Sequence, residues 1–125
     1  MFYKKKQSID YRRYPRIPLT ARVRFTPPGV EQWNGALIRS ISTHGLGLYT
    51  DERVKKGDRL LIELSLVTDE NEPLHELILG EVVWAETGEA KTRYSAGIYF
   101  GDIAEKHPKL HAYLKRLEDA IVALP

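Results

Sequence analysis

The sequence of 125 residues contains no cysteine. This absence excludes disulfide bonds and cysteine nucleophiles, and it removes most of the ligand patterns of zinc sites. No apolar run approaches the roughly 20 residues that a membrane-spanning helix needs. The N-terminus, from Met1 to Lys6, is charged but has no apolar stretch behind it that would indicate a secretion signal. We therefore expect a cytoplasmic protein with no membrane insertion.

The chain also lacks a large excess of charge of one sign, since its net charge is only +2. Such a small excess does not predict a broad nucleic-acid-binding surface. The basic residues are nevertheless concentrated at the N-terminus, where only Asp10 opposes Lys4, Lys5, Lys6, Arg12, Arg13 and Arg16. A basic arm over residues 1–16, followed by a near-neutral domain over residues 17–125, indicates a local anion-binding site, whereas Lys4 to Lys6 are interpreted as a solvated tail.

The body of the chain is a series of short apolar–polar alternations separated by turn residues. The alternations predict six strands, Leu19–Phe25, Trp33–Arg39, Gly45–Thr50, Arg59–Val67, His75–Ala85 and Arg93–Phe100. Six short strands favour a closed or nearly closed (split) barrel, because closure protects the edges of the sheet. We predict a mainly β fold built as a six-stranded antiparallel β-barrel.

The end of the chain changes to helical spacing. Apolar residues recur every three or four positions at Leu110, Tyr113, Leu114, Leu117, Ile121 and Leu124. Pro108 suits the first turn of a helix. The pattern predicts a C-terminal amphipathic α-helix over residues 108–123, which docks its apolar stripe on the barrel or on a partner.

No set of residues meets the requirements of catalysis. None of the four histidines lies in a recognisable triad motif, and the acidic residues are scattered without an evident acid–base couple. His107 and His111 could share a helix face, but a third metal ligand is not evident, which favours two solvated histidines. We therefore predict no catalytic residue, no metal site and no cofactor, and hence no enzyme.

Two segments carry candidate ligand-binding residues. In the first, Arg12 and Arg16 lie four residues apart, and Pro15 disfavours a helix through them. Guanidinium groups match the O6 and N7 atoms of guanine as well as phosphate oxygens. In the second, a predicted polar loop from Ser40 to His44 precedes Gly45, so that hydroxyls and a glycine lie between two strands. Taken alone, each segment fits an ordinary protein surface equally well.

Together and in this order, the two segments resemble the signature of the PilZ family. That signature is R-x-x-x-R, followed about twenty to thirty residues later by [D/N]-x-S-x-x-G. The first motif matches Arg12 to Arg16, and the second aligns as Ser40-x-Ser42-x-x-Gly45. The segment Arg16–Leu19 resembles the run into the first strand of the family, and Glu81–Trp84 and Tyr94–Phe100 are similar to its last two strands. The likeness covers nearly the whole chain and implies six strands with a closing helix.

The resemblance implies a receptor that binds cyclic di-GMP at the outer surface of the barrel, often as a stacked pair, and acts on a downstream protein partner. The residues that the motifs assign to the ligand are Arg12, Arg13, Arg16, Ser40, Ser42 and Gly45. The two motif arginines would contact guanine edges and phosphates, with Arg13 as an accessory. Ser42 would hydrogen-bond to the ligand and Gly45 would shape the loop. Of two interpretations of Trp84, a platform for a guanine ring and a buried barrel residue, the second is favoured, and Trp84 is left out of the predicted site.

One position departs from the motif, because Ser40 stands where the family prefers Asp or Asn. A carboxylate can accept from guanine N1–H and N2–H together, whereas one hydroxyl reaches only part of that edge. Losing a charge-assisted contact costs about 1.5–3 kcal/mol, or roughly one to two decades of affinity. The departure favours an alternative, a degenerate PilZ-like protein-interaction module that binds no nucleotide. A barrel that binds single-stranded nucleic acid is a third interpretation, which the near-neutral body disfavours.

Overall fold

The computed structural model describes residues 21–88 and 93–122. Within them the chain forms β1 (Arg22–Thr26), β2 (Asn34–Ile41), β3 (Gly45–Thr50), β4 (Arg59–Val67), β5 (Pro73–Thr87), β6 (Tyr94–Tyr99) and α1 (Pro108–Val122). The strands close a barrel in the order β1-β2-β3-β6-β5-β4, with antiparallel pairing throughout. This confirms the predicted six-stranded antiparallel barrel and C-terminal helix. The predicted basic arm and the predicted strand start at Leu19 lie outside the described residues.

Alternation along the strands fills the barrel with apolar side chains. The buried faces of β1 and β4 carry Val23, Phe25, Leu60, Ile62, Leu64 and Leu66. Successive side chains of a strand point to opposite faces, so the residues between them lie on the outer surface. The inward side chains meet Leu48, Ile78 and Val82 in one core. Burial of each such side chain contributes about 1.5–3 kcal/mol, and the outward positions are left available for binding.

Two strands contain a bulge that the alternation did not predict. The register of β2 shifts between Ile38 and Ser40, and that of β5 shifts between Val82 and Trp84. An extra residue in β2 lets Ile38 and Ile41, three positions apart, both face the core, where Ile41 is only 1% exposed. The expectation of a loop from Ser40 onward was therefore wrong at its start, since Ser40 and Ile41 belong to β2.

The helix packs against the core with its N-terminal half. Leu110, Tyr113 and Leu114 are buried and Leu117 packs against the same cluster, whereas Ile121 is 38% exposed. The apolar stripe is thus confirmed as far as Leu117, and the predicted position Leu124 lies outside the described residues. None of the described residues forms a helix long and apolar enough to span a membrane.

Polar contacts fix the helix to two neighbouring parts of the barrel. His107 Nδ1 lies 2.8 Å from Glu76 Oε1 on β5, and Arg116 Nη2 donates to Asp69 Oδ1 at 2.7 Å in the β4–β5 connection. The Arg116 guanidinium also lies 5.5 Å from the ring centroid of Tyr113. These contacts place α1 across the end of the barrel that carries the β4–β5 connection.

Candidate functional site

The structure describes three of the six predicted site residues. Ser40 lies on β2, and Ser42 and Gly45 bracket the turn that joins β2 to β3. The predicted residues Arg12, Arg13 and Arg16 lie outside the described residues. The described part of the predicted site therefore consists of Ser40 and the turn from Ser42 to Gly45.

The backbone N–H and the side-chain hydroxyl of Ser42 both form hydrogen bonds within the turn. Its N–H donates to the carbonyl oxygen of Gly45 at 2.8 Å, and its hydroxyl oxygen accepts from the N–H of His44 at 3.2 Å. The hydroxyl also donates to the Gly45 carbonyl at 3.4 Å. Ser42 is 8% exposed, so its side chain acts mainly as an internal brace of this turn.

Gly45 is required by close packing between strands. A Cβ atom at this position would collide with the backbone carbonyl oxygen of Ile98, which pairs across from β3 on β6. A backbone hydrogen bond also joins the turn to the residue after β6, because the N–H of Phe100 donates to the carbonyl oxygen of His44 at 2.8 Å. The turn is thus held against the end of β6 by backbone contacts.

A row of four residues crosses the outer face of the sheet beside this turn. Ser40 of β2 pairs with Gly47 of β3, Gly47 with Gly97 of β6, and Gly97 with Trp84 of β5. A Cβ at Gly97 would lie 2.7 Å from Cδ1 of Trp84, so the indole packs directly on the backbone of that glycine. The expectation of a buried tryptophan was wrong, because Trp84 is half-buried on the outer face.

Arg39, the extra residue of the β2 bulge, completes this surface. Its guanidinium carbon lies 5.7 Å from the ring centroid of Trp84 and 5.9 Å from that of Tyr49. Its Nη1 also donates to the hydroxyl of Ser95 at 3.5 Å, and its Cδ would lie 3.6 Å from a Cβ at Gly47. We call Arg39 and Trp84, with the two glycines beneath them, the Arg39–Trp84 surface. In the part of the chain that the structure describes, no carboxylate pairs with Arg39.

Sequence reasoning missed this surface. The sequence singles out neither Arg39 nor Tyr49, and for Trp84 it favours a core position over a platform for a guanine ring. The available signal was the pair of glycines inside strands, Gly47 and Gly97, because a glycine in a strand interior often marks a bulge or a close approach. The bulges beside them in β2 and β5 are a further feature that is common next to functional sites.

A neighbouring depression of about 520 Å³ has the opposite chemistry. Its lining includes Tyr49, which it shares with the Arg39–Trp84 surface, and the acidic residues Asp51 and Glu52. Among the described residues that line it, the only arginine is Arg93, whose Nε lies 3.6 Å from Asp51 Oδ1. Two carboxylates against one paired guanidinium disfavour an anionic ligand there. Of the two surfaces, the Arg39–Trp84 surface has the charge that suits an anion.

Ionisable groups elsewhere on the barrel form a structural network. Arg24 Nε donates to Glu63 Oε1 at 2.5 Å, and His75 Nε2 lies 2.9 Å from Glu63 Oε2. The hydrogen bond from Arg24, and then that from His75, lowers the pKa of Glu63 to about 2. The network links strands β1, β4 and β5.

Among residues 21–88 and 93–122, no group of three or more His, Cys, Asp or Glu side chains could hold a metal ion.

Comparison with protein families matches residues 10–117 to the PilZ domain. The chain belongs to the PilZ family. The matched range includes every residue of the two motifs, so this PilZ domain contains both the R-x-x-x-R segment and the β2–β3 turn. A comparison with curated protein sequences finds no significant match.

Two solved structures show the same fold. The inhibitor of motility MotI (DgrA) from Bacillus subtilis superposes with a TM-score of 0.69 at 15% sequence identity. The match covers 98% of this PilZ domain and 55% of the MotI chain, so this chain spans about half the length of that protein. The PilZ domain of YcgR from Escherichia coli, solved with c-di-GMP, superposes with a TM-score of 0.56 at 12% identity. That match covers 86% of this chain and 88% of the YcgR chain.

Proposed function

We propose that this PilZ domain is a non-enzymatic receptor that binds cyclic di-GMP on the outer face of its barrel. The observation that carries the proposal is the position of the Arg39–Trp84 surface directly beside the motif turn Ser42–Gly45. A guanine nucleotide needs a flat surface for stacking and a cation for its phosphates or its O6 and N7 edge. Trp84 and Arg39 supply both. The PilZ domain of YcgR, whose structure contains c-di-GMP, supports the same ligand.

The arginines of the first motif complete the proposed site. Arg22 of β1 pairs with Leu37 of β2, and β2 continues from there to Ile41 and the motif turn. The strand that follows the R-x-x-x-R segment therefore begins toward the end of the barrel that holds the turn. We assign Arg12 and Arg16 to guanine edges and phosphates, with Arg13 as an accessory cation. The division into an arm of residues 1–16 and a barrel domain of residues 17–125 is part of this proposal.

The described motif residues take distinct roles in the proposed site. Ser40 lies at the edge of the Arg39–Trp84 surface and offers one hydroxyl to the ligand. Ser42 and Gly45 act through the shape of the turn, because the hydroxyl of Ser42 is used within it and Gly45 packs on β6. A hydrogen bond from Ser42 to the ligand would require the hydroxyl to exchange its weak bond to the Gly45 carbonyl.

The test of this function compares two similar Arg–Trp pairs. Trp84→Ala should weaken cyclic di-GMP binding by about tenfold or more, because stacking of a base on an aromatic ring contributes about 1–3 kcal/mol. Trp84→Phe keeps a ring and should retain most of the affinity. Trp33→Ala is the matched control, since Arg24 lies 5.0 Å from the Trp33 ring on another part of the barrel. Calorimetry with cyclic di-GMP, GTP and a short oligonucleotide measures all four proteins.

Equal losses in Trp84→Ala and Trp33→Ala would contradict the placement of the ligand. Tighter binding of the oligonucleotide than of cyclic di-GMP would contradict the ligand itself.

A protein-interaction module without nucleotide binding is the second candidate function. The serine at position 40 favours it, because the carboxylate or amide that the family prefers is missing there. Exposed leucines on β5, Leu77 and Leu79, are 49% and 51% exposed and offer apolar surface to a partner. A downstream protein partner and a cytoplasmic location also belong to the receptor proposal. Absence of any cyclic di-GMP binding by the wild-type protein would favour the second candidate.

A further inference from the structure

A buried carboxylate connects the C-terminal helix to the motif turn. Glu118 of α1 is 5% exposed, and its Oε2 accepts a hydrogen bond of 2.9 Å from the backbone N–H of Thr43. Thr43 lies 75 positions earlier in the chain and is itself 4% exposed. Removing a carboxylate from water is costly unless it is hydrogen-bonded, so a buried glutamate at this place calls for a specific reason.

The turn itself provides that reason. The N–H of Ser42 bonds to the Gly45 carbonyl, and the N–H of His44 bonds to the hydroxyl of Ser42. The N–H of Thr43, between them, instead points away from the turn and bonds to Glu118. A buried N–H without an acceptor would be strongly unfavourable, and a carboxylate is the stronger type of acceptor. Glu118 thus fixes the orientation of the peptide group between the two ends of the motif turn.

Among the described residues, the other polar contacts of α1 and of His107, which directly precedes it, do not reach this turn. His107 contacts Glu76 on β5, and Arg116 contacts Asp69 in the β4–β5 connection. Arg116 and Asp69 have half-exposed side chains, 48% and 54%, so their ion pair adds little stability. In the part of α1 that follows Leu114, the Glu118–Thr43 hydrogen bond is therefore the main polar attachment to the barrel among the described residues. Near the end of that part of the helix lies the exposed Ile121.

We propose that Glu118 is a positioning residue for the nucleotide-binding turn, and that its bond to Thr43 couples ligand occupancy to the docking of α1 residues 115–121. The ligand part of this inference rests on the proposed function. If the Glu118 bond favours the turn conformation that binds the nucleotide, then the nucleotide favours the docked helix by the same factor, because such coupling is reciprocal. The C-terminal half of α1 would then report the ligand to a partner.

Hydrogen–deuterium exchange followed by NMR tests the inference in the free protein first. Glu118→Ala should accelerate exchange of the Thr43 amide and of the amides of residues 115–121. Glu118→Gln keeps a side-chain oxygen acceptor and should restore most of the protection. Asp119→Asn is the matched control, because the neighbouring Asp119 side chain is 65% exposed and pairs with Lys115 on the helix surface. If Glu118→Ala does not fold, Glu118→Gln is compared with Asp119→Asn: the weaker, uncharged acceptor of Glu118→Gln should accelerate Thr43 exchange slightly, whereas Asp119→Asn should leave it unchanged.

The second arm adds cyclic di-GMP. In the wild type the ligand should slow exchange in residues 115–121, and in Glu118→Ala it should protect the turn without protecting the helix. The affinity of Glu118→Ala should fall by about tenfold. Unchanged Thr43 exchange in Glu118→Ala would overturn the positioning role, and equal helix protection in both proteins would overturn the coupling. A wild type that binds no nucleotide would refute the proposed function and the coupling, while the free-protein arm would still decide whether Glu118 positions the turn.

Discussion

Single side chains decide how well the outer face of this barrel suits a nucleotide. Arg39 and Trp84 lie on the sheet because Gly47 and Gly97 leave room for them. Ser40, in the same cross-strand row, has no charge with which to meet a guanine edge. Two predictions follow at the scale of single residues. Changing Ser40 tests the affinity for the ligand, and changing Gly45 tests the stability of the domain.

Ser40→Asp should tighten cyclic di-GMP binding by up to about tenfold, since a carboxylate can accept from guanine N1–H and N2–H together. The added charge also repels the phosphates of the ligand. The Arg39 guanidinium on the adjacent residue, and the three arginines assigned to the ligand, offset that repulsion. Titration of wild type and Ser40→Asp at the same salt concentration measures the difference. Weaker binding by Ser40→Asp would show that the aspartate does not meet the guanine edge.

Gly45→Ala should destabilise the domain by about 1–3 kcal/mol, because the new methyl group meets the backbone carbonyl of Ile98, which can move only with its strand. Gly35→Ala is the matched control. Gly35 is also a strand residue, but a Cβ there would have no atom within 4 Å. Urea unfolding of both variants gives the two free energies. Equal stability of the two variants would contradict the close packing of β3 against β6 at Gly45.

Among the elements, the strands follow from sequence periodicity and the bulges do not. The run Gly45–Thr50 and the alternating run Arg59–Val67 predict β3 and β4 with their observed bounds, and burial alternates along the whole of β4. In β2 the pattern fails after Ile38, since the next inward residue is Ile41. The family motif placed Ser40, Ser42 and Gly45 in one segment. It could not place Arg39 beside Trp84, because that contact depends on both bulges and on the pairing of β3 with β6.

The network that joins β1, β4 and β5 predicts a pH dependence of stability. The pKa of Glu63 is lowered to about 2 in the folded protein, so its stabilising contribution is present in full above the ordinary carboxyl pKa. The contribution should be lost as the pH falls from about 4.5 toward 2. The difference in unfolding free energy between wild type and Glu63→Gln should shrink over that range when followed by urea unfolding.

Arg24→Gln removes the larger cause of the lowered pKa and serves as the comparison for this experiment. In that variant the loss of stability should move to higher pH. A difference between wild type and Glu63→Gln that stays constant from neutral pH down to the acid limit would contradict the network.

The whole molecule is a PilZ barrel whose end is covered by a helix that also contacts the motif turn. Strand order brings residues far apart in sequence onto one outer face, which holds the Arg39–Trp84 surface. The MotI chain is nearly twice as long as the part that matches this chain, and YcgR contributes a PilZ domain of similar extent. A barrel that presents the Arg39–Trp84 surface and a docked helix together supports the proposal of a receptor that passes occupancy to another protein surface.

Calorimetric titration of the wild-type protein with cyclic di-GMP tests the central claim most directly. We expect saturable binding, and we expect Arg16→Ala to abolish it while circular dichroism and thermal unfolding show an intact fold, since a motif guanidinium that binds guanine or phosphate has no substitute in alanine. Full affinity in Arg16→Ala would contradict the assignment of the first motif. No binding by the wild type at ligand concentrations up to about 1 mM, equivalent to less than about 4 kcal/mol of binding free energy, would contradict the claim that this PilZ domain is a cyclic di-GMP receptor.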